Sequence, residues 1–207
     1  VTGSGSKWTN SGILDVGRDG SGTLSVQNGG QVTNTNGFIG SFGNGTVTVT
    51  GSGSKWTNSG ILTVATIGTG ALNVQNGGEV TNTNGFIGDF STGNGTVTVT
   101  GTGSKWTNSA SLDVGLDGSG TLSVQNGGHV TNTNGIIGDF SSGNGTVTVT
   151  GSGSKWTNSV NLQVGRLGTG TLNINNNGLV TVGGITSINA ASAGNLNGGR
   201  VGFWITE

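Results

Sequence analysis

The chain has 207 residues, of which 46 are Gly, 7% are charged and 29% are hydrophobic; without periodicity such a mixture would point to disorder. The formal net charge of -1 gives no broad basic field for nucleic acid, and no apolar run reaches the eighteen or so residues that span a bilayer as a helix. Cys, Met, Pro and Tyr are absent, which excludes disulfides and thiolate metal sites, and the missing initiator Met suggests a processed or excised chain.

The string from Val1 to Ser11 returns almost unchanged at Val49, Val99 and Val149, so the chain is an internal array. A weaker echo halves the unit, because Gly20–Val26 matches Gly43–Val49 in its glycines and alternating apolar residues. The marker residues Val1, Val26, Val49, Val74, Val99, Val124, Val149 and Ile174 define eight units, 25 residues apart except for one gap of 23.

Within the first unit, Ile13-Leu14-Asp15-Val16 follows Trp8, and it recurs as Ile61–Val64, Ser111–Val114 and Asn161–Val164 with Leu and Val constant. Constancy of some positions and drift of others marks an inner face, since a buried residue must match the copies stacked on either side. Thr46-Val47-Thr48-Val49-Thr50 alternates with period two and recurs at 96–100 and 146–150, which predicts a strand with valines inward and threonines outward. Asn-Gly, Gly-Gly and Gly-Ser clusters separate the strands and suit sharp corners. About three short strands and three corners per 25 residues predict an all-β, parallel β-solenoid of about eight coils, roughly 38 Å long at 4.8 Å per coil. Asn10, Asn58, Asn108 and Asn158 form one asparagine column and Asn28, Asn76, Asn126 and Asn176 another, both suited to amide ladders.

Trp8, Trp56, Trp106 and Trp156 take the place of Val32, Val80, Val130 and Val180 in the alternate coils, so large and small residues would interleave inside. The alternative places the indoles outside beside Lys7, Lys55, Lys105 and Lys155, as an aromatic and cationic row for a glycan or host-surface ligand. These eight residues are the candidate binding row.

Catalysis finds no support in the pattern. An enzyme built on a solenoid would interrupt the repeat with a cluster of unusual polar groups, and none is evident. His129, the sole histidine, holds the drifting position of Gln31, Glu79 and Leu179. Asp15 and Asp113 share a column but lie about 19 Å apart at four ladder steps, beyond the ~5–9.5 Å of paired glycosidase carboxylates. Asp15 with Asp19, and Asp113 with Asp117, read as solvated turns. The nine-residue glycine–aspartate calcium repeat is absent, and no Lys-Ser/Thr pair completes a phosphate loop. Neither a cofactor nor a metal is expected. Outward threonines raise ice binding as another reading, although Ser25, Gln27, Asn73 and Gln75 make that array irregular.

Gly-Ser-Gly-Thr-Leu-Ser-Val-Gln-Asn-Gly-Gly at 20–30 and Gly-Ser-Gly-Ser-Lys-Trp-Thr-Asn-Ser at 51–59 resemble the repeat family shared by bacterial autotransporter passengers and PEP-CTERM surface proteins, over about residues 1 to 180. The resemblance implies a right-handed parallel β-helix exported to the bacterial surface or beyond, and it carries over no catalytic residue. The 207 residues themselves contain no translocating barrel, and without proline they cannot hold the Pro-Glu-Pro sorting tag.

The expected organisation is a solenoid array over 1–178 and a divergent last coil with a cap over 179–207. The expected function is a non-enzymatic extracellular stalk or fibre segment, with adhesion as the alternative and ice binding after it. Val1 begins in mid-unit, so its open strand edge is expected to be covered by flanking repeats or by a head-to-tail neighbour.

Overall fold

The computed structural model describes residues 1–203, so Trp204 and Ile205 of the expected cap lie outside the described residues. Each full coil contains three strands, and every named strand pair is parallel. In the first coils these are β1 (Lys7–Thr9), β2 (Ile13–Val16), β3 (Ser21–Gln27), β4 (Gln31–Asn34), β5 (Asn36–Ile39), β6 (Asn44–Thr50), β7 (Lys55–Asn58) and β8 (Leu62–Val64). Equivalent strands of successive coils stack into three sheets. One begins β1-β4-β7, one β2-β5-β8, and the longest-stranded one is edged by β3-β6. The fold is therefore a β-solenoid of about eight coils of about 25 residues, as the periodicity predicts. No helix among the described residues is long and apolar enough to cross a membrane.

The facing of the strands follows the repeat statistics. Val47 and Val49 on β6 and Leu62 and Val64 on β8 are fully buried, while Thr46, Thr48 and Thr50 point to the half-covered outer face. Register is preserved along the stack, with Val49 between Val26 and Val74. Val47 and Val49 thereby meet apolar side chains in the coils on either side, and the parallel ladders join the strand backbones from coil to coil.

The indoles interleave inside with smaller residues. Trp56, Trp106 and Trp156 are completely buried, each stacked in register between valines, as Trp56 is between Val32 and Val80. Room for them comes from the neighbouring sheet, where the even coils carry Gly37, Gly85 and Gly135 opposite the odd-coil Leu62, Leu112 and Leu162. A methyl group on Gly37 would lie 2.8 Å from Trp56 Cζ2 and 2.5 Å from Asn58 Oδ1. Trp8, in the first coil, remains 42% exposed.

A buried polar network accompanies each of these three buried indoles. Trp56 Nε1 donates to Asn34 Oδ1 at 2.6 Å, and Asn34 Nδ2 donates to Asn58 Oδ1 at 2.6 Å. The same triangle joins Trp106, Asn82 and Asn108, and again Trp156, Asn132 and Asn158. The first asparagine column thus includes Asn34, Asn82 and Asn132, and it consists of discrete pairs: Asn108 Nδ2 and Asn158 Nδ2 have no partner in the next coil. The second column forms no amide ladder. Asn28, Asn76, Asn126 and Asn176 occur only in alternate coils, two ladder steps apart, and hold corners at φ between 49° and 55°. Asn76 Nδ2 instead donates to Thr50 Oγ1 of the preceding coil at 3.3 Å.

Stacking continues past the point where the sequence repeat fades at 178. Leu179–Val182 pairs in register with Lys155–Asn158, and Thr186–Ile188 with Leu162–Val164. Beyond them Ala193–Asn197 and Arg200–Phe203 add a partial ninth turn, of which Ala193–Asn197 is exposed throughout.

Candidate functional site

The corner between β2-type and β3-type strands is turned by a column of left-handed residues: Gly17, Gly40, Gly88, Gly115, Gly138 and Gly165, with φ from 69° to 83°. Ala65 is the one non-glycine among the left-handed residues of this column, at φ 67°, in a conformation that disfavours a Cβ, and Asn189 holds the same place in the coil after Gly165 without a positive φ. Corner length varies. Gly40 and Gly43 enclose two residues, whereas Gly88–Gly93 and Gly138–Gly143 enclose four, which explains the single 23-residue spacing.

The second residue after each left-handed position projects outward and forms a ridge of Asp19, Phe42, Ile67, Phe90, Asp117, Phe140 and Leu167. Backbone hydrogen bonds fix this column, as from Phe42 N to the Arg18 carbonyl and from Phe90 N to the Thr66 carbonyl, both 2.9 Å. Phe42, Phe90 and Phe140 are 60%, 54% and 45% exposed, in a chain whose buried core holds most other large apolar side chains. They come from coils 2, 4 and 6. Sequence reasoning passed over these residues, although their recurrence at one corner position in alternate coils was visible in Gly-Ser-Phe, Gly-Asp-Phe and Gly-Asp-Phe.

Acidic groups gather beneath the upper ridge, contrary to the expectation that no polar cluster interrupts the repeat. Asp113 is a buried side chain, flanked in register by Phe86 and Ile136, and its Oδ1 has no hydrogen-bond partner. The solvated-turn reading therefore fails for Asp113. Burial, with the nearby Asp139 carboxylate and more distant Asp89, raises its pKa to about 7, and Arg166 opposes the rise. Asp89 is also raised, chiefly by burial and then by Asp117. Asp139 is buried and ion-pairs with Arg166, whose guanidinium lies 5.6 Å from the Phe140 ring centroid. Ser142 Oγ donates to Asp117, and in the first coils Ser41, at the corner position of Asp139, donates from Oγ to Asp15 Oδ2, the counterpart of Asp113, at 2.9 Å. These carboxylates do not converge: no group of three or more His, Cys, Asp or Glu among the described residues is placed to hold a metal ion.

The raised pKa predicts a pH-dependent contribution to stability. Unfolded Asp113 titrates near 3.8 and the folded group near 7, so the folded state binds more protons between these values. The contribution is complete below about 3.8 and is lost as the pH rises through about 7. Asp113→Asn should stabilise the fold at pH 8.5 by on the order of 3 kcal/mol relative to its effect at pH 3.5. Urea melts of both chains across that range check it; parallel pH profiles would show that Asp113 ionises freely in the folded state.

The candidate row of Lys7, Trp8, Lys55, Trp56, Lys105, Trp106, Lys155 and Trp156 is split by the structure. Strand alternation sends the two members of each Lys-Trp pair to opposite faces, so the lysines are outside and Trp56, Trp106 and Trp156 are inside. The aromatic and cationic row is therefore corrected to a lysine row with only Trp8 partly at the surface. Gln31, Glu79 and His129 stand between the lysines, Leu179 stands between Lys155 and Arg200, and Lys55 Nζ pairs with Glu79 at 2.9 Å. His129 Nε2 lies 3.0 Å from the Gly153 carbonyl. Beside this row runs an uninterrupted threonine column, including Thr33, Thr57, Thr81 and Thr107, which the sequence reading did not isolate.

No family model, curated protein or solved structure matches the chain.

Proposed function

We propose that the chain is a non-enzymatic extracellular structural solenoid, a stalk or fibre segment of a bacterial surface or secreted protein. The observation that supports this reading is continuity: neighbouring coils keep one strand register in all three sheets from β1 to Thr186–Ile188. Such a stack resists bending because each backbone ladder runs along the rod axis, and its length rises by about 4.8 Å per coil. The longest-stranded sheet supports a role in solvent as well. Its outward columns consist of uncharged residues, such as Thr46, Thr48 and Thr50 beside Ala71, Asn73 and Gln75. Hydroxyls and amides keep that face hydrated without attracting a charged partner.

Two measurements test the proposal. Antibody against the chain should label intact source cells or their culture fluid, and small-angle scattering of the isolated chain should give the cross-section and length of a stiff rod. Signal confined to the cell interior, or turnover of polysaccharide, peptide or ester substrates by pure protein, would overturn it.

A further inference from the structure

We infer that the ridge bearing Phe42, Phe90 and Phe140 is a binding track for a linear, neutral polysaccharide. The three rings stand two coils apart, about 10 Å per step. That interval approaches the repeat of two pyranose units in an extended, equatorially linked chain. Every second sugar would thereby meet an aromatic ring on the same side of the polymer. Phenyl rings receive the C–H-rich faces of sugars through burial of apolar area and contact with the negative ring face.

Polar neighbours complete the track. Asp117 stands in register between Phe90 and Phe140, and Asp19 precedes Phe42. Carboxylates accept hydrogen bonds from paired sugar hydroxyls, and charge-assisted bonds of this kind are stronger than neutral ones. Asp89, one residue before Phe90, adds negative charge that disfavours nucleic acid and sulfated or carboxylated glycans, whereas the Asp139 carboxylate before Phe140 is neutralised by its ion pair with Arg166. The ring positions are pre-set because each backbone is bonded to the coil before it, so little ordering accompanies binding.

Shape argues against a second copy of the chain as the occupant. Phe42, Ile67, Phe90, Phe140 and Leu167 expose roughly 500 Å² in single file along one corner, where a stable protein interface has a compact apolar centre within a polar rim. The ridge is narrow and interrupted by Asp117. Such a surface fits a thin polymer that gains strength from repeated weak contacts.

The test uses the full chain with cellohexaose, cellobiose and insoluble cellulose, and with chitohexaose as a second neutral polymer. Retention on cellulose or a titratable response to either hexaose is expected, with the hexaose bound at least tenfold more tightly than the disaccharide. Single Phe42→Ser, Phe90→Ser and Phe140→Ser variants should weaken binding about two- to fivefold, and the triple variant at least tenfold, with unchanged melting temperatures. Trp8→Ser, on another sheet, should leave binding unaltered. Absence of binding to all these polymers, or binding indifferent to the triple variant, overturns the inference. So does concentration-dependent self-association that the triple variant abolishes, since it would identify a second copy as the occupant. These outcomes are independent of whether the rod serves as a stalk, which scattering and surface labelling report.

Discussion

Val49→Asp should lower stability by several kcal/mol, whereas Thr48→Asp on the adjacent outward position should change it by no more than about 0.5 kcal/mol. Val49 is fully buried between Val26 and Val74, so the carboxylate would enter a dry stack without a partner. Thr48 lies half-covered among Ser25 and Asn73, where a carboxylate keeps its water. Because each coil depends on its neighbours, the damage in Val49→Asp should extend to the flanking coils and broaden the unfolding transition. Urea melts followed by circular dichroism compare the two variants. Equal losses would mean that the inward and outward faces are misassigned.

Trp106→Ala should cost about 3–5 kcal/mol through the cavity it leaves, and it should also orphan the Asn82 carbonyl oxygen that accepts the indole proton at 2.7 Å. Trp106→Phe separates these contributions. The ring would fill part of the space, leaving mainly the lost hydrogen bond and its unsatisfied acceptor at about 1–3 kcal/mol. Thermal or chemical melts give both values. A Trp106→Phe variant as stable as the parent would show that the indole–asparagine triangle contributes packing alone.

The strands, their facing and the number of coils were readable because the chain supplies its own internal comparison. Val47, Val49, Leu62 and Val64 have counterparts that stay apolar, while Asp15, Thr63, Asp113 and Gln163 share one column yet differ in chemistry. Indole burial was readable for the same reason, since Trp alternates with Val in a period-two strand. The indole triangle was within reach too: aligning Trp56 with Val32 also aligns Asn58 with Asn34. What the repeat does not express is the environment of a drifting position. Whether Asp113 is wet depends on Phe86 and Ile136 in the adjacent coils and on the corner that brings Asp139 near, none of which a turn motif encodes. The Phe ridge was hidden by a different habit of reading, in which apolar residues are assigned to the core. Phe42 and Phe90 sit at corners, where the chain direction turns every side chain at that position away from the axis.

The indole and the glycine that accommodates it belong to different coils, and the asparagine triangle ties the two together, so the smallest self-consistent unit of this rod is a pair. A duplication or deletion of one coil would set Trp against Trp on one sheet and Leu against Leu on the next, or leave two glycine layers in contact around a void. Changes of two coils, about 50 residues, leave every layer opposite its complement. Unequal recombination among the near-identical 49–98 and 99–148 segments yields such steps directly. The lengths open to this protein over evolutionary time are therefore quantised, in increments of about 10 Å.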